Sequence, residues 1–175
     1  MSAAAANAAQ LFQLQASNIQ VDPGSILFSN NQVSGFLSLS DSVAAGGLFG
    51  IPQIQGFSFN FGGITVTLPE TQLPGSDLTA FGQVSANGQS ISLLDLRFDL
   101  ASTIPSCSFI CAGQIEIGTF DNSNFVAIDD IDTVTLSFLQ FDAALTRVPE
   151  PLTLSIFAAG LAGAVVSRRR KTIKG

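Results

Sequence analysis

The sequence predicts an all-β body, an antiparallel two-sheet sandwich or jelly roll, followed by a single hydrophobic C-terminal helix. Short segments in which apolar and polar residues alternate recur along the chain, as they do in strands with one buried face. Turn residues separate these segments at about the 8–12-residue spacing that is typical of all-β domains. Hydrophobic residues make up 46% of the chain and charged residues only 11%, so most apolar side chains must be buried in a core or in lipid.

Two hairpins are the clearest elements of this pattern. Alternation over 57–61 is followed by Gly62–Gly63 and by a second alternating segment, 64–68. The other hairpin turns at Asn87–Gly88, a pair favoured in type I′ turns, and its second strand, 89–100, alternates leucine and phenylalanine with Asp95, Arg97 and Asp99. We expect those three charged residues to face water. Further strands are predicted near residues 26–28, 34–40, 114–120, 124–128 and 133–141.

Composition excludes several classes of function. The chain has no histidine, which removes Ser-His-Asp and Cys-His catalysis and imidazole metal sites, so we expect neither an enzyme nor a bound cofactor. It has 15 Phe but no Trp or Tyr, the residues that usually form sugar-binding platforms. Up to residue 147, two arginines oppose twelve acidic residues, a net charge of −10 that is unsuited to nucleic acid.

The chain changes character at Val148. Pro149, Glu150 and Pro151 precede a charge-free apolar stretch, 152–167, which as a helix would be about 24 Å long, slightly short of a bilayer core of about 30 Å. A basic end, 168–174, follows and contains the membrane-stop cluster Arg168, Arg169, Arg170 and Lys171. The positive-inside rule predicts a single-pass span with a cytoplasmic C-terminus and the body outside. The alternative is a buried helix of a soluble domain.

This order of motif, span and basic stop resembles the PEP-CTERM sorting signal of Gram-negative, exopolysaccharide-producing bacteria. The resemblance covers residues 148–171. It implies that Pro149, Glu150 and Pro151 are recognised by a membrane exosortase that cleaves near them. It also implies a precursor held in the inner membrane by its tail and a product released to the cell envelope or the extracellular matrix, where exopolysaccharide is a candidate partner.

The N-terminal region does not have the features of a complete export signal. Residues 1–17 are rich in alanine, without a basic start or a leucine-rich stretch. Ala6-Asn7-Ala8 has the A-x-A form found at the end of signal peptides. We therefore expect residues 1–17 to be the remnant of a signal peptide whose start is missing, and the body to span 18–147. The alternative, insertion by the tail with a cytoplasmic body, contradicts the positive-inside rule.

Two further groups are candidate sites in the body. Cys107 and Cys111 are the only cysteines, and in an exported protein such a pair favours a local disulfide over two buried thiols. Asp129, Asp130 and Asp132 form a weak calcium candidate, although a solvated, Asp-rich turn is the favoured interpretation.

These observations favour an exported, non-enzymatic envelope or matrix protein whose body is a structural or interaction module. The alternative is a secreted glycan-binding module or a carboxylate-based hydrolase. A pair of acidic residues in a concave pocket would favour this alternative, whereas a smooth polar surface would favour the structural role.

Overall fold

The computed structural model describes residues 9–25, 27–68, 77–101, 110–118, 124–130 and 135–149. Within these ranges the chain forms ten strands and one short 3-10 turn, Ile51–Gln53. The strands are β1 Ala9–Val21, β2 Val33–Ser40, β3 Leu48–Gly50, β4 Ile54–Phe61, β5 Ile64–Thr67, β6 Leu78–Val84, β7 Ser90–Ala101, β8 Ile110–Ile117, β9 Phe125–Asp130 and β10 Thr135–Arg147. All their pairings are antiparallel, so the all-β antiparallel prediction is confirmed.

Hydrogen bonds join the ten strands into one continuous sheet rather than the two separate sheets of the predicted sandwich. Its order is β3-β6-β7-β8-β9-β10-β1-β2-β4-β5. All ten strands contribute apolar side chains to a single core, because alternate residues of each strand face the same side. Phe59, Leu96 and Leu139, which lie on three different strands, are each 0% exposed. One face of the sheet is therefore the core and the other is the surface.

The sheet folds over to cover its own apolar face. Gly50 ends β3 and Ile54 begins β4, so at most about 15 Å separates them. β7 also pairs directly with β10, and this gives the shorter route across the sheet from β3 to β4. Even by this route the two strands are six inter-strand spacings apart, about 29 Å in a flat sheet. The two ends of the sheet must therefore approach each other. Phe61 of β4 and Phe141 of β10 accordingly stack across the core, with ring centroids 6.1 Å apart.

The β8–β9 hairpin lies in a fork between β7 and β10. One edge of β10 pairs with β9 over Thr135–Gln140, and further along the same strand Leu145 pairs with Ile91 of β7. β7 and β10 thus separate where the hairpin is inserted and meet beyond its tip. At that tip the Gly118 N–H donates a 3.0 Å hydrogen bond to the Asn124 side chain. The fork positions the outer faces of β7, β8 and β9 side by side.

The predicted boundary between leader and body is wrong. Residues 9–17 belong to β1, which pairs with both β2 and β10 and contributes the buried Phe12 and Leu14. The buried Gln10 donates a 2.8 Å hydrogen bond to the Val43 carbonyl. Since a glutamine occupies an inward position and the preceding residues are alanines, the sequence did not show the usual strand alternation. The body therefore includes residues 9–17.

Two local predictions also need correction. Leu27 and Phe28 are buried, but they lie in an irregular segment rather than a strand, where the Leu27 N–H is bonded to the Ser137 hydroxyl at 3.1 Å. The Asn87–Gly88 hairpin exists, but Asn87 lacks the positive φ of a type I′ turn, and the turn instead closes through a Gly88 N–H bond to the Ser85 carbonyl.

The C-terminal helix lies outside the described residues, which end at Pro149. In the part of the chain that the structure describes, no helix has the length and apolar character that crossing a membrane requires. The span predicted for 152–167 therefore stays a prediction.

Candidate binding surface

The outer face of β6, β7, β8 and β9 carries the candidate site. The register aligns Thr79, Arg97, Gln114 and Ala127 in one row across these four strands. On β7 the prediction of outward charges is confirmed: Arg97 is exposed, and Asp95 and Asp99 are half-buried and alternate with the buried Leu94, Leu96 and Phe98. Polar side chains therefore lie side by side on this face, because residues that pair across neighbouring strands point to the same side of the sheet.

An open groove crosses this face, and we call it the β6–β9 groove. Its volume is about 460 Å³, within the usual range of small-molecule sites. Ala112 and Ala127 line its middle, where larger side chains would fill it. Asp77 and Asp99 line it beside β6 and β7, and Leu136, which is 58% exposed, lines it beside β9. The groove thus has two carboxylates on its β6–β7 side, the acidic side, and an exposed leucine on the other side, where Asp129 of β9 lies between Ala112 and Leu136 in the register.

Asp77 and Asp99 form a carboxylate pair in the groove. The register of β6 and β7 extends to them, since the Asp99 N–H donates a 2.8 Å hydrogen bond to the Asp77 carbonyl. Burial raises the pKa of the Asp99 carboxyl, and the nearby negative charge of Asp77 raises it further, while a backbone hydrogen bond from Asp77 opposes both effects. Asp99 is therefore a carboxylate whose ionised form is disfavoured.

The cation nearest along β7 is already paired. Arg97 makes a two-pronged contact with Asp95, with both its Nε and its Nη2 3.3 Å from carboxylate oxygens. This is the one ion pair among the described residues. Neither Asp77 nor Asp99 has a cationic partner there, so the negative charge on the acidic side of the groove is uncompensated.

An amide completes the polar network next to this ion pair. Asp95 and Glu116 lie directly opposite each other on β7 and β8, where two negative charges repel. The Gln114 side-chain NH₂ donates to both carboxylates, at 3.3 Å to Asp95 and by a shorter bond to Glu116. Arg97 and Gln114 thus stabilise Asp95 and Glu116, while Asp77 and Asp99 are acidic groups that line the groove.

The groove can bind positively charged or hydrogen-bond-donating groups. Among the residues described, no group of three or more Asp, Glu, Cys or His could hold a metal ion. Sequence reasoning missed Asp77. A two-residue turn at Asn87–Gly88 would place residue 77 opposite residue 98, and only the register shift between Gln83 and Val84 brings it opposite Asp99. The groove also needs β8 and β9, whose alignment with β7 no local pattern predicts.

The structure tests few of the other predicted site residues. Cys111 lies in β8 opposite Leu100, whereas Cys107 is outside the described residues, so the disulfide stays a prediction. Asp129 and Asp130 are the last residues of strand β9 and not part of a turn, and Asp132 is outside the described residues. The calcium site likewise stays a prediction.

Of the predicted sorting motif, Pro149 is the only residue within the described ranges. Glu150, Pro151 and the cluster Arg168, Arg169, Arg170 and Lys171 lie beyond it. The preceding Val148 N–H is bonded to the Leu11 carbonyl of β1 at 2.8 Å. Val148 also lines a second, more apolar groove of about 620 Å³ with the exposed side chains of Leu11 and Phe36.

Comparison with protein-family models, with curated proteins and with solved structures found no match.

Proposed function

We propose that the chain is an exported envelope or extracellular-matrix protein whose β body binds a ligand in the β6–β9 groove. The observation that carries this proposal is the pair Asp77 and Asp99 in a groove of about 460 Å³. The pair places two negative charges, without a cationic partner among the described residues, beside open space of ligand size. The folded-over sheet would supply the two layers of a sandwich-like, jelly-roll-related scaffold for this face.

The position of the tail supports processing by an exosortase. β10 ends at Arg147, immediately before the Pro149-Glu150-Pro151 motif. Cleavage near the motif would therefore remove the apolar span and its basic stop without breaking a strand. In the precursor, the span would hold the protein in the inner membrane, with the cationic C-terminus in the cytoplasm.

The start of the fold supports export in the same way. Ala6-Asn7-Ala8 directly precedes Ala9, the first residue of β1. Cleavage after Ala8 would leave β1 whole. The two junctions also lie at one end of the molecule, because Phe12 near the start of β1 pairs with Arg147 at the end of β10. A body tethered through both junctions would present one end to the membrane.

The mass of the protein recovered from cells that contain an exosortase tests this proposal. We expect an extracellular or envelope form that begins near Ala9 and ends near Pro151, and that co-sediments with the secreted polysaccharide of those cells. Replacing the motif acid, Glu150→Ala, should leave a longer, membrane-held form, while Glu116→Ala, a matched change outside the motif, should leave processing unchanged. An intact chain in the cytoplasm would contradict the proposal.

A carboxylate-based hydrolase is a second candidate, favoured by one observation. A carboxyl whose pKa is raised, as burial and Asp77 raise that of Asp99, is suited to donate a proton to a leaving group. Incubation of the protein with the secreted polysaccharide separates the two candidates. New reducing ends that disappear in Asp99→Asn would indicate hydrolysis, whereas retention of the polymer without cleavage would indicate binding alone.

A further inference from the structure

We infer that the β6–β9 groove takes a ligand with one positively charged amine on a hydroxyl-rich body, the chemistry of an amino sugar in a polysaccharide. The inference rests on the proposed function and names the class of ligand for the same site. It follows from the charges, the spacing and the floor of the groove.

The negative charges of Asp77 and Asp99 on the acidic side of the groove favour the binding of a cation. The carboxylates of Asp77 and Asp99 repel each other there, and the partial burial of Asp99 further disfavours its ionised form. Within the described ranges Arg97 is paired with Asp95 and offers neither of them a counter-charge. An ammonium group between the two carboxylates would replace both unfavourable interactions with charge-assisted hydrogen bonds.

The spacing along β7 limits the ligand to one amine at this point. Arg97 and Asp99 also line the groove and are two residues apart on one strand, about 7 Å. At Arg97 a second amine would find no free carboxylate, because Asp95 is already paired, whereas the guanidinium can donate a hydrogen bond to a neutral oxygen. A ligand therefore fits best with its amine at Asp77 and Asp99 and its hydroxyl or ring oxygens toward Arg97 and Gln114. This polarity matches an amino sugar better than a polyamine.

The floor of the groove argues for an organic ligand rather than a bare ion. Calcium requires about six to eight oxygen ligands, and two carboxylates supply at most about four. No larger acidic group was found among the residues that the structure describes. The chain lacks the Trp or Tyr of a usual sugar platform, but Ala112 and Ala127 leave open space above the sheet where the carbon atoms of a sugar ring can lie.

Calorimetric titration of the full chain in detergent with two oligosaccharides of equal length tests the inference. One probe is an oligomer of glucosamine, and the other is the same oligomer with every amine acetylated and therefore uncharged. At a pH of about 6 we expect the aminated oligomer to bind at least about tenfold more tightly, since only its ammonium group can make charge-assisted hydrogen bonds to the two carboxylates.

Three variants test whether the preference for the aminated oligomer depends on Asp77 and Asp99. Asp77→Asn and Asp99→Asn should each remove most of the preference for the amine, while Asp41→Asn, a matched change in an exposed loop away from the groove, should retain it. Circular dichroism would show that each variant is folded.

The other outcomes each overturn a defined part of the argument. Equal affinity for the acetylated oligomer would leave the proposed binding function intact and reject recognition of the amine. Binding of calcium chloride alone, lost in Asp77→Asn and Asp99→Asn, would show a metal site instead. If the folded protein bound neither oligomer nor the secreted polysaccharide of the producing cells, both the inference and the proposed binding function would fail.

Discussion

At the scale of single residues, the ionised Asp99 carboxylate destabilises the free protein but favours the binding of a cationic ligand. Burial and the charge of Asp77 raise the pKa of its carboxyl above the ordinary value of 3.8, so the folded state binds this proton more tightly than the unfolded state. Its contribution to stability therefore decreases as the pH rises from 3.8 through the raised pKa. The penalty grows as the carboxyl ionises, and a cationic ligand would relieve it.

Replacing this carboxyl should stabilise the free protein. We expect Asp99→Asn to raise the free energy of unfolding at a pH of about 7 and to have little effect at a pH of about 3, below the ordinary pKa. Urea denaturation across this range is the measurement, and Asp41→Asn controls for the loss of one negative charge. A gain of the same size at both ends of the range would show that the Asp99 carboxylate is not the cause.

Two glycines on neighbouring strands make a matched test of backbone packing. Gly35 of β2 has a φ of 156°, and a Cβ there would lie 2.8 Å from the Phe59 Cα of β4. We expect Gly35→Ala to lower the free energy of unfolding by about 3 kcal/mol, since the contact involves backbone that cannot move alone. A Cβ at Gly56 would meet nothing within 4 Å, so Gly56→Ala should change stability by less than about 1 kcal/mol. Equal losses would contradict this explanation.

At the scale of strands, the local sequence pattern predicted the hairpins but missed the first part of β1, which is held in the sheet by β2 and β10. The segments around Gly62–Gly63 and Asn87–Gly88 pair as expected, because alternation and turn residues are both local signals. The type I′ geometry occurs at the first of these turns, where Gly62 and Gly63 have φ values of 59° and 101°. β1 is a strand because β2 and β10 pair with both its edges, a long-range cause that overrides its weak propensity.

The same distinction explains what could be predicted of the candidate site. The outward direction of Asp95, Arg97 and Asp99 follows from alternation along one strand. The groove depends on Ala112 and Ala127 lying beside them, and this requires the β8–β9 hairpin to enter the fork between β7 and β10. That arrangement is set by pairings between strands that are distant in sequence, which the sequence pattern does not encode residue by residue.

At the scale of the whole molecule, the body carries charge of almost one sign. Up to residue 147 it has two arginines against twelve acidic residues, a net charge of −10. Such an excess disfavours the compact state through self-repulsion, although it keeps the protein soluble despite its many apolar residues. It would also attract cationic polymers from a distance and repel nucleic acid.

Screening this charge should stabilise the fold. Raising sodium chloride from about 20 mM to about 500 mM shortens the distance over which the carboxylates repel, and we expect a gain of about 1 kcal/mol, or roughly 3 °C in the melting temperature. Thermal unfolding followed by circular dichroism is the measurement. At a pH of about 3 most carboxylates are protonated, so the gain should largely disappear. An equal gain at that pH would mean that salt acts on the apolar surface, and the excess of acidic residues would then have no measurable effect on stability.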